Sequence, residues 1–330
     1  MDNNLEQYST PQYDAISEPS PTHERRLRPR QEYTPIAVIA IIFAFFVVGN
    51  IVGSLIMIAL AAANGMDFQT IVANINANSP IGTRNFMRAT LFLNHFFSFI
   101  LPAIITAFFV YKKLWFNHLR LSTRPTPLSI LMGIGWFLVS MPLVQWVYKL
   151  NQKLPLPEWM INLEQSTGHL LEGIIAQDNF YEIIINVLLI GVIPAIGEEL
   201  MFRGIIQQQI GRLLKNEHLI VWASAAIFSA VHMQFQGFFA RLLLGALLGY
   251  LFIWTKNLWV PIILHLLNNG VQVLTIYVMG IKPSEINTMT DTNELPLWSG
   301  FVSLVVSIVW GIWVYRVLKK DETTVSTDSV

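Results

Sequence analysis

Glu198, Glu199, Arg203, His232, His265 and Asn269 sit in stretches otherwise built from Leu, Ile, Val, Phe and Ala. An ionisable side chain in such a stretch costs roughly 2.5–3.5 kcal/mol or more if the stretch lies in a bilayer, so it marks function by default. Two adjacent carboxylates, a guanidinium four residues on and two imidazoles on later apolar stretches can together hold and activate a water molecule. In Glu198-Glu199-Leu200-Met201-Phe202-Arg203-Gly204, Glu199 and Arg203 are i and i+4 on a helix and share a face. Glu198 is turned about 100° away. The spacing therefore divides the work: Arg203 neutralises Glu199, and Glu198 is left free as a general base or acid. The competing reading is a helix end where both acids meet water. His232, closing Phe228-Ser229-Ala230-Val231-His232, reads alone as either a packed structural residue or a site residue. His265 and Asn269, again i and i+4, can both donate hydrogen bonds. They suit a developing oxyanion or act as polar glue between helices.

The elements that must position these residues follow from composition. The chain of 330 residues is 53% hydrophobic and 13% charged, where an ordinary soluble domain is about a quarter charged. Apolar runs near the length needed to cross a bilayer recur. They lie at Ile36–Ala62, Leu91–Tyr111, Leu128–Tyr148, Tyr181–Met201, Leu219–Gln234, Phe238–Thr255, Leu258–Met279 and Trp298–Val317. The expected fold is all-α, a polytopic helical membrane protein with about eight transmembrane helices, the fifth and sixth short and closely joined. The chain divides into a disordered cytoplasmic tail (1–35), N-terminal transmembrane helices and loops (36–179), a catalytic helical core (180–280), a loop with the last transmembrane helix (281–320) and a polar C-terminal tail (321–330). The first run starts too far from Met1 for a cleaved signal peptide. A net charge of zero gives no sign of nucleic acid, and the lack of cysteine excludes disulfides and thiolate chemistry.

Lys and Arg at 25–30, 112–124, 203–215, 256 and 316–320 fall on one side of these helices, which the positive-inside rule makes cytoplasmic, with both termini inside. Arg84, Arg88, Lys149, Lys153 and Lys282 are exceptions on the other side. Tryptophans such as Trp136, Trp146, Trp254 and Trp310 read mostly as an interfacial belt. Gly245 and Gly249 read as a close-packing face. Asn50, Asn94, His95, Asn186 and Gln272 read as interhelical hydrogen-bonding residues. His95 could also line a substrate path.

The ordered set Glu-Glu-x-x-x-Arg, Phe-x-x-x-His and His-x-x-x-Asn on successive apolar helices resembles the CAAX protease and bacteriocin-processing enzyme family (CPBP, also called Abi), which are intramembrane endopeptidases. The resemblance covers about Phe180 to Ile276, with Pro194 and Gly197 also in place, and leaves residues 1–120 outside it. It implies that Glu198 and His232 activate the hydrolytic water, that His265 and Asn269 stabilise the oxyanion, and that Glu199 and Arg203 are structural. It implies no obligatory metal, although the family was long labelled metalloprotease. Zinc on Glu198, His232 and His265 stays open on residue types alone, without a His-Glu-x-x-His helix. The implied partners are the bilayer and a membrane-bound peptide or protein, prenylated CAAX or leader peptide, at the cell (inner) membrane. A proton-coupled transporter is the main rival, since buried Glu, Arg and His also suit ion relays. A non-catalytic immunity protein is the second. One expectation sits awkwardly: these boundaries put Glu198 near the inner end of its helix and His232 near the outer end of the next. Either Gly191, Pro194 and Gly197 break the fourth segment, or the fifth and sixth are re-entrant.

Overall fold

The computed structural model describes residues 33–279 and 296–327. The expectations for residues 1–32, 280–295 and 328–330 lie outside the described residues. Among the described residues every regular element is helical. Seven helices are long and apolar enough to cross a membrane, and an eighth, Glu217–Val231, is apolar but shorter. The expected eight thus become seven candidate spans and one short helix.

The elements are α1 (Pro35–Ala63), α2 (Phe68–Asn74), α3 (Ile81–His118), α4 (Pro127–Gln152), α5 (Glu158–Ile175), α6 (Phe180–Leu213), α7 (Glu217–Val231), α8 (Phe238–Thr255), α9 (Trp259–Val278) and α10 (Leu297–Thr327). Side-chain caps fix several starts: Thr34 accepts from Ala37, Thr126 from Ser129, Asn179 from Glu182, and Asn216 from His218 and Leu219. α1 and α10 bury little of their length, and residues such as Phe43, Leu55, Phe301 and Val309 point outward. In water such apolar faces would be a liability; here they are the lipid-facing wall.

Two helices run well past the boundaries expected from hydropathy. The second segment begins at Ile81 rather than Leu91, because Arg84 and Arg88 belong to it. Both guanidiniums are buried. Arg84 pairs with Asp178 and Glu182, and Arg88 reaches Glu182 at 2.8 Å, Asn186 Oδ1 at 3.0 Å and the Ile174 carbonyl at 3.2 Å. They are a polar knot joining α3 to the start of α6, so their exception to the charge rule reflects burial rather than orientation. The region expected as an external loop holds α5, an amphipathic helix.

The fourth segment continues to Leu213 instead of stopping at Met201. No break occurs at Gly191, Pro194 or Gly197. Instead a π turn, Val187–Val192, precedes Pro194, and another, Phe96–Ile100, precedes Pro102 in α3. Proline lacks an N–H and crowds the carbonyl four residues back. Widening the preceding turn lets the helix pass. The polar run Gln207-Gln208-Gln209 stays helical because each side chain has a partner: the Gly249 carbonyl, the His118 carbonyl and the Tyr111 hydroxyl.

α4, α8 and α10 pack through aromatic residues. Trp136 stacks on Trp254 at 5.2 Å and donates to the Ser307 carbonyl, and Trp310 donates to the Met132 carbonyl. Trp136 and Trp310 are bundle contacts rather than members of the expected belt. Asn50 also departs from expectation, donating to Phe46 within its own helix.

Candidate active site

The extension of α6 settles the awkward depths. Glu198 lies fifteen residues before the end of α6, and His232 fifteen residues after the start of α7. The two helices form a hairpin closed by Leu214–Asn216, so equal arms bring both residues to one level, about 20 Å from the turn. Glu198 Oε2 is 3.5 Å from His232 Nε2 and 3.7 Å from His265 Nε2.

Hydrogen bonds fix the tautomers. His232 Nδ1 lies 2.7 Å from the Phe228 carbonyl, which only accepts, so Nδ1 carries the proton. In the neutral ring Nε2 then offers a lone pair toward Glu198. Glu198 Oε2 is buried with no hydrogen-bond partner. Two acceptors facing each other at 3.5 Å need a shared donor, and one water molecule can touch both.

Glu199 faces away from Glu198, as the helical phasing requires. Its Oε1 accepts from Arg203 Nη1 at 2.6 Å and from His265 Nδ1 at 2.8 Å. The carboxylate therefore ties α6 to α9 and turns His265 Nε2 toward Glu198, an orienting contact that spacing within one helix could not reveal. Arg203 also donates to the Gly245 carbonyl at 2.9 Å and lies 4.7 Å from the Phe228 ring centroid. Gln207, one turn on, repeats the contact with the Gly249 carbonyl at 2.9 Å. The two glycines thus let α8 approach side-chain donors on α6 as well as pack against α7. A Cβ on Gly249 would stand 3.0 Å from Gln207 Oε1, and one on Gly245 would stand 3.2 Å from Ala225 Cβ.

Asn269 Nδ2 donates to the Ile190 carbonyl at 3.2 Å. Ile190 is four residues before Pro194, so its carbonyl has no amide partner one turn on, and Asn269 supplies a donor. The second N–H of that amide is available to the cavity. Asn268 Nδ2 donates to Asn269 Oδ1 at 2.8 Å and fixes which way the amide faces.

These groups line a cavity of about 430 Å³ shared by α3 to α9 and the segment after α7, within the size range of small-ligand sites. Glu198, His232, His265 and Asn269 all reach it; Glu199 and Arg203 stand behind its wall. Sequence reasoning missed Arg241, Tyr148, Gln234 and Asn268, which also line it, and gave His95 no motif. His95 Nδ1 is a second buried atom without a partner. Among the described residues no group of three His, Cys, Asp or Glu side chains is disposed to hold a metal ion.

The seven apolar spans define an integral membrane protein, and the Glu/His cavity lies among its helices. Residues 180–271 match the Rce1-like family of type II CAAX prenyl endopeptidases. The chain is 27% identical to protein YpbD of Bacillus subtilis (strain 168) over 167 residues, covering 49% of this chain and 79% of that protein. It is 28% identical over 95 residues to the membrane-embedded CAAX protease MroQ of Staphylococcus aureus (strain USA300), covering 27% of this chain and 38% of MroQ. No solved structure matches the chain significantly.

Proposed function

We infer that this protein cleaves peptide bonds of membrane-associated substrates with a water held between Glu198 and His232. The observation that carries this reading is the unpartnered Glu198 Oε2, 3.5 Å from His232 Nε2 and 3.7 Å from His265 Nε2 inside the cavity. The water gives one proton to the Glu198–His232 pair, and its oxygen adds to the scissile carbonyl. The oxyanion is met by His265 Nε2–H and the free N–H of Asn269. For this His265 must carry both protons, and Glu199 at Nδ1 stabilises that imidazolium, as an orienting carboxylate does in other His-dependent hydrolases. As the C–N bond breaks, the departing amine takes the proton held by Glu198 and His232. Arg203 holds Glu199 in place through the 2.6 Å contact, so the pair acts through His265. Kinship with a CAAX protease supports a lipid-anchored peptide as substrate.

The test is cleavage of a lipidated, internally quenched peptide library by the purified full chain in detergent or vesicles. Glu198→Gln and His232→Ala should each abolish cleavage while the protein still inserts and melts normally. Near-wild-type turnover by Glu198→Gln would remove the water-activation role, and a wild type that cleaves nothing would remove the reading.

A further inference from the structure

A guanidinium in the cavity wall has no part in the water-activating machinery. Arg241 lies in the first turn of α8 and lines the same cavity as Glu198. Among the described residues its side-chain hydrogen bonds go to neutral acceptors, the main-chain carbonyl of Gln234 at 3.3 Å and that residue's side-chain oxygen. Glu164, the acid that α5 brings to this loop, is committed to the Gln236 amide at 3.0 Å. A permanent cation facing a water-accessible cavity at membrane depth, without a carboxylate of its own, is a site for an anion.

The surroundings fit that role. Gly237 precedes α8, and a Cβ there would stand 3.2 Å from Arg241 Nη2 and 3.6 Å from Tyr148 Cε2. Glycine thus keeps space open beside the guanidinium. The loop carrying it is held rigid: Asn151 accepts from the Phe239 amide at 2.9 Å and donates to the Phe235 carbonyl at 3.0 Å, and Ser229 donates to the Phe238 carbonyl at 2.7 Å. The positive end of the α8 dipole adds to the same potential. Glu198 and Arg241 on different parts of one cavity make it electrically asymmetric. An anionic group is drawn toward Arg241 and repelled from Glu198.

We propose that Arg241 is a specificity-determining residue that binds the terminal carboxylate of the peptide substrate. This inference rests on the proteolytic reading above and adds a direction to it. The substrate threads with its C-terminal end toward the start of α8. A lipid phosphate headgroup carries the same charge, so the test separates the two.

The experiment measures binding and cleavage on the full chain in detergent micelles. The binding probe is an N-acetylated apolar tripeptide, as free acid and as carboxamide. The cleavage probe is a lipidated quenched peptide in the same two forms. Wild type should favour the acid about tenfold or more in Kd and in KM. Arg241→Gln should reduce that preference to within about twofold, and Arg241→Lys should keep part of it. Gln234→Ala removes the brace but keeps the cation, so it should lower stability or overall turnover while leaving the acid preference intact. A merely structural Arg241 would weaken acid and amide alike. The proposal is overturned if wild type binds both forms equally, if Arg241→Gln retains the preference, or if Arg241 governs stabilisation by anionic over zwitterionic lipid and not by the peptide acid. Binding of the acid without any cleavage would overturn the proteolytic reading and leave Arg241 as a carboxylate site.

Discussion

The residues of the cavity divide by what each can do with a proton. Glu198 and His232 face one another as acceptors, whereas Glu199 accepts from Arg203 at 2.6 Å and from His265 at 2.8 Å. Removing one member of a buried ion pair leaves the other uncompensated, at a cost of about 3–5 kcal/mol. Arg203→Ala should therefore lower the melting temperature, and cleavage should fall with it as His265 loses its fixed partner. Glu199→Gln combined with Arg203→Met should recover part of the stability, since no lone charge remains, but not the activity, because a neutral amide stabilises an imidazolium poorly. Melting curves beside cleavage assays decide this. Wild-type melting by Arg203→Ala, or full activity in the double variant, would contradict the assignment. The six candidate residues stood out in the sequence because charged and polar groups contrast with apolar helices. The Glu199–His265 contact was not, since it joins residues 66 positions apart. Arg241 was also missed: one cation near a helix start carries no spacing signal, and only the cavity distinguishes it from a snorkelling side chain.

At the level of elements, the Arg203 and Gln207 contacts to the Gly245 and Gly249 carbonyls repeat at one-turn spacing on both α6 and α8. Both helices therefore run in the same direction with matched register. A side chain at Gly245 presses on Ala225 and Phe228 of α7, and one at Gly249 on Gln207 of α6 and Val221 of α7. Gly245→Val should reduce thermal stability by about 1–3 kcal/mol through overpacking against Ala225 and Phe228 and reduce turnover further, because Phe228 lies one turn before His232 on α7; unchanged melting and turnover would mean the close approach is dispensable. The expected Gly-x-x-x-Gly face was legible, whereas its carbonyls as acceptors for α6 were not. Helix ends were the least legible feature. Arg84, Arg88 and Gln207 to Gln209 looked like boundaries because hydropathy counts a polar side chain as exposed, while here all but Gln208 are buried and every one is hydrogen-bonded. Asp178 belongs to this account: hydrogen bonding from Arg84 holds its carboxyl below the usual aspartate range. Its contribution to stability is present above that range and is lost as pH falls through the lowered value.

For the whole molecule, the orientation remains this chain's own prediction from charge. Arg212 and Lys215 mark the α6–α7 turn, and Lys256 marks the α8–α9 turn. Reporter fusions after Lys215 and after Lys320 should both read cytoplasmic, and a fusion within 154–178 external. The opposite pattern would place the α6–α7 turn outside. With Arg84 and Arg88 accounted for by burial, fewer exceptions to the rule remain on the far side. All-helical architecture and membrane insertion were legible from run length alone. The folding of residues 154–178 into α5, whose Glu164 and Trp159 brace the loop after His232, was not, because an amphipathic surface helix has no long apolar run.

The short α7 ties chemistry to the thickness of the bilayer. At fifteen residues it measures about 22 Å, less than the roughly 30 Å hydrocarbon core. His232 at its tip and the irregular backbone that follows are therefore stranded within the acyl region, whichever way the chain faces. Such backbone persists there only if protein and water shield it. A thin bilayer shortens the route by which water and an extended peptide reach the tip; a thick one lengthens it and strains the fit of the outer helices. Turnover in vesicles of graded acyl-chain length should peak at short or intermediate chains and decline with longer ones, while the melting temperature changes less. A flat profile would mean that the site communicates with bulk solvent independently of the surrounding lipid.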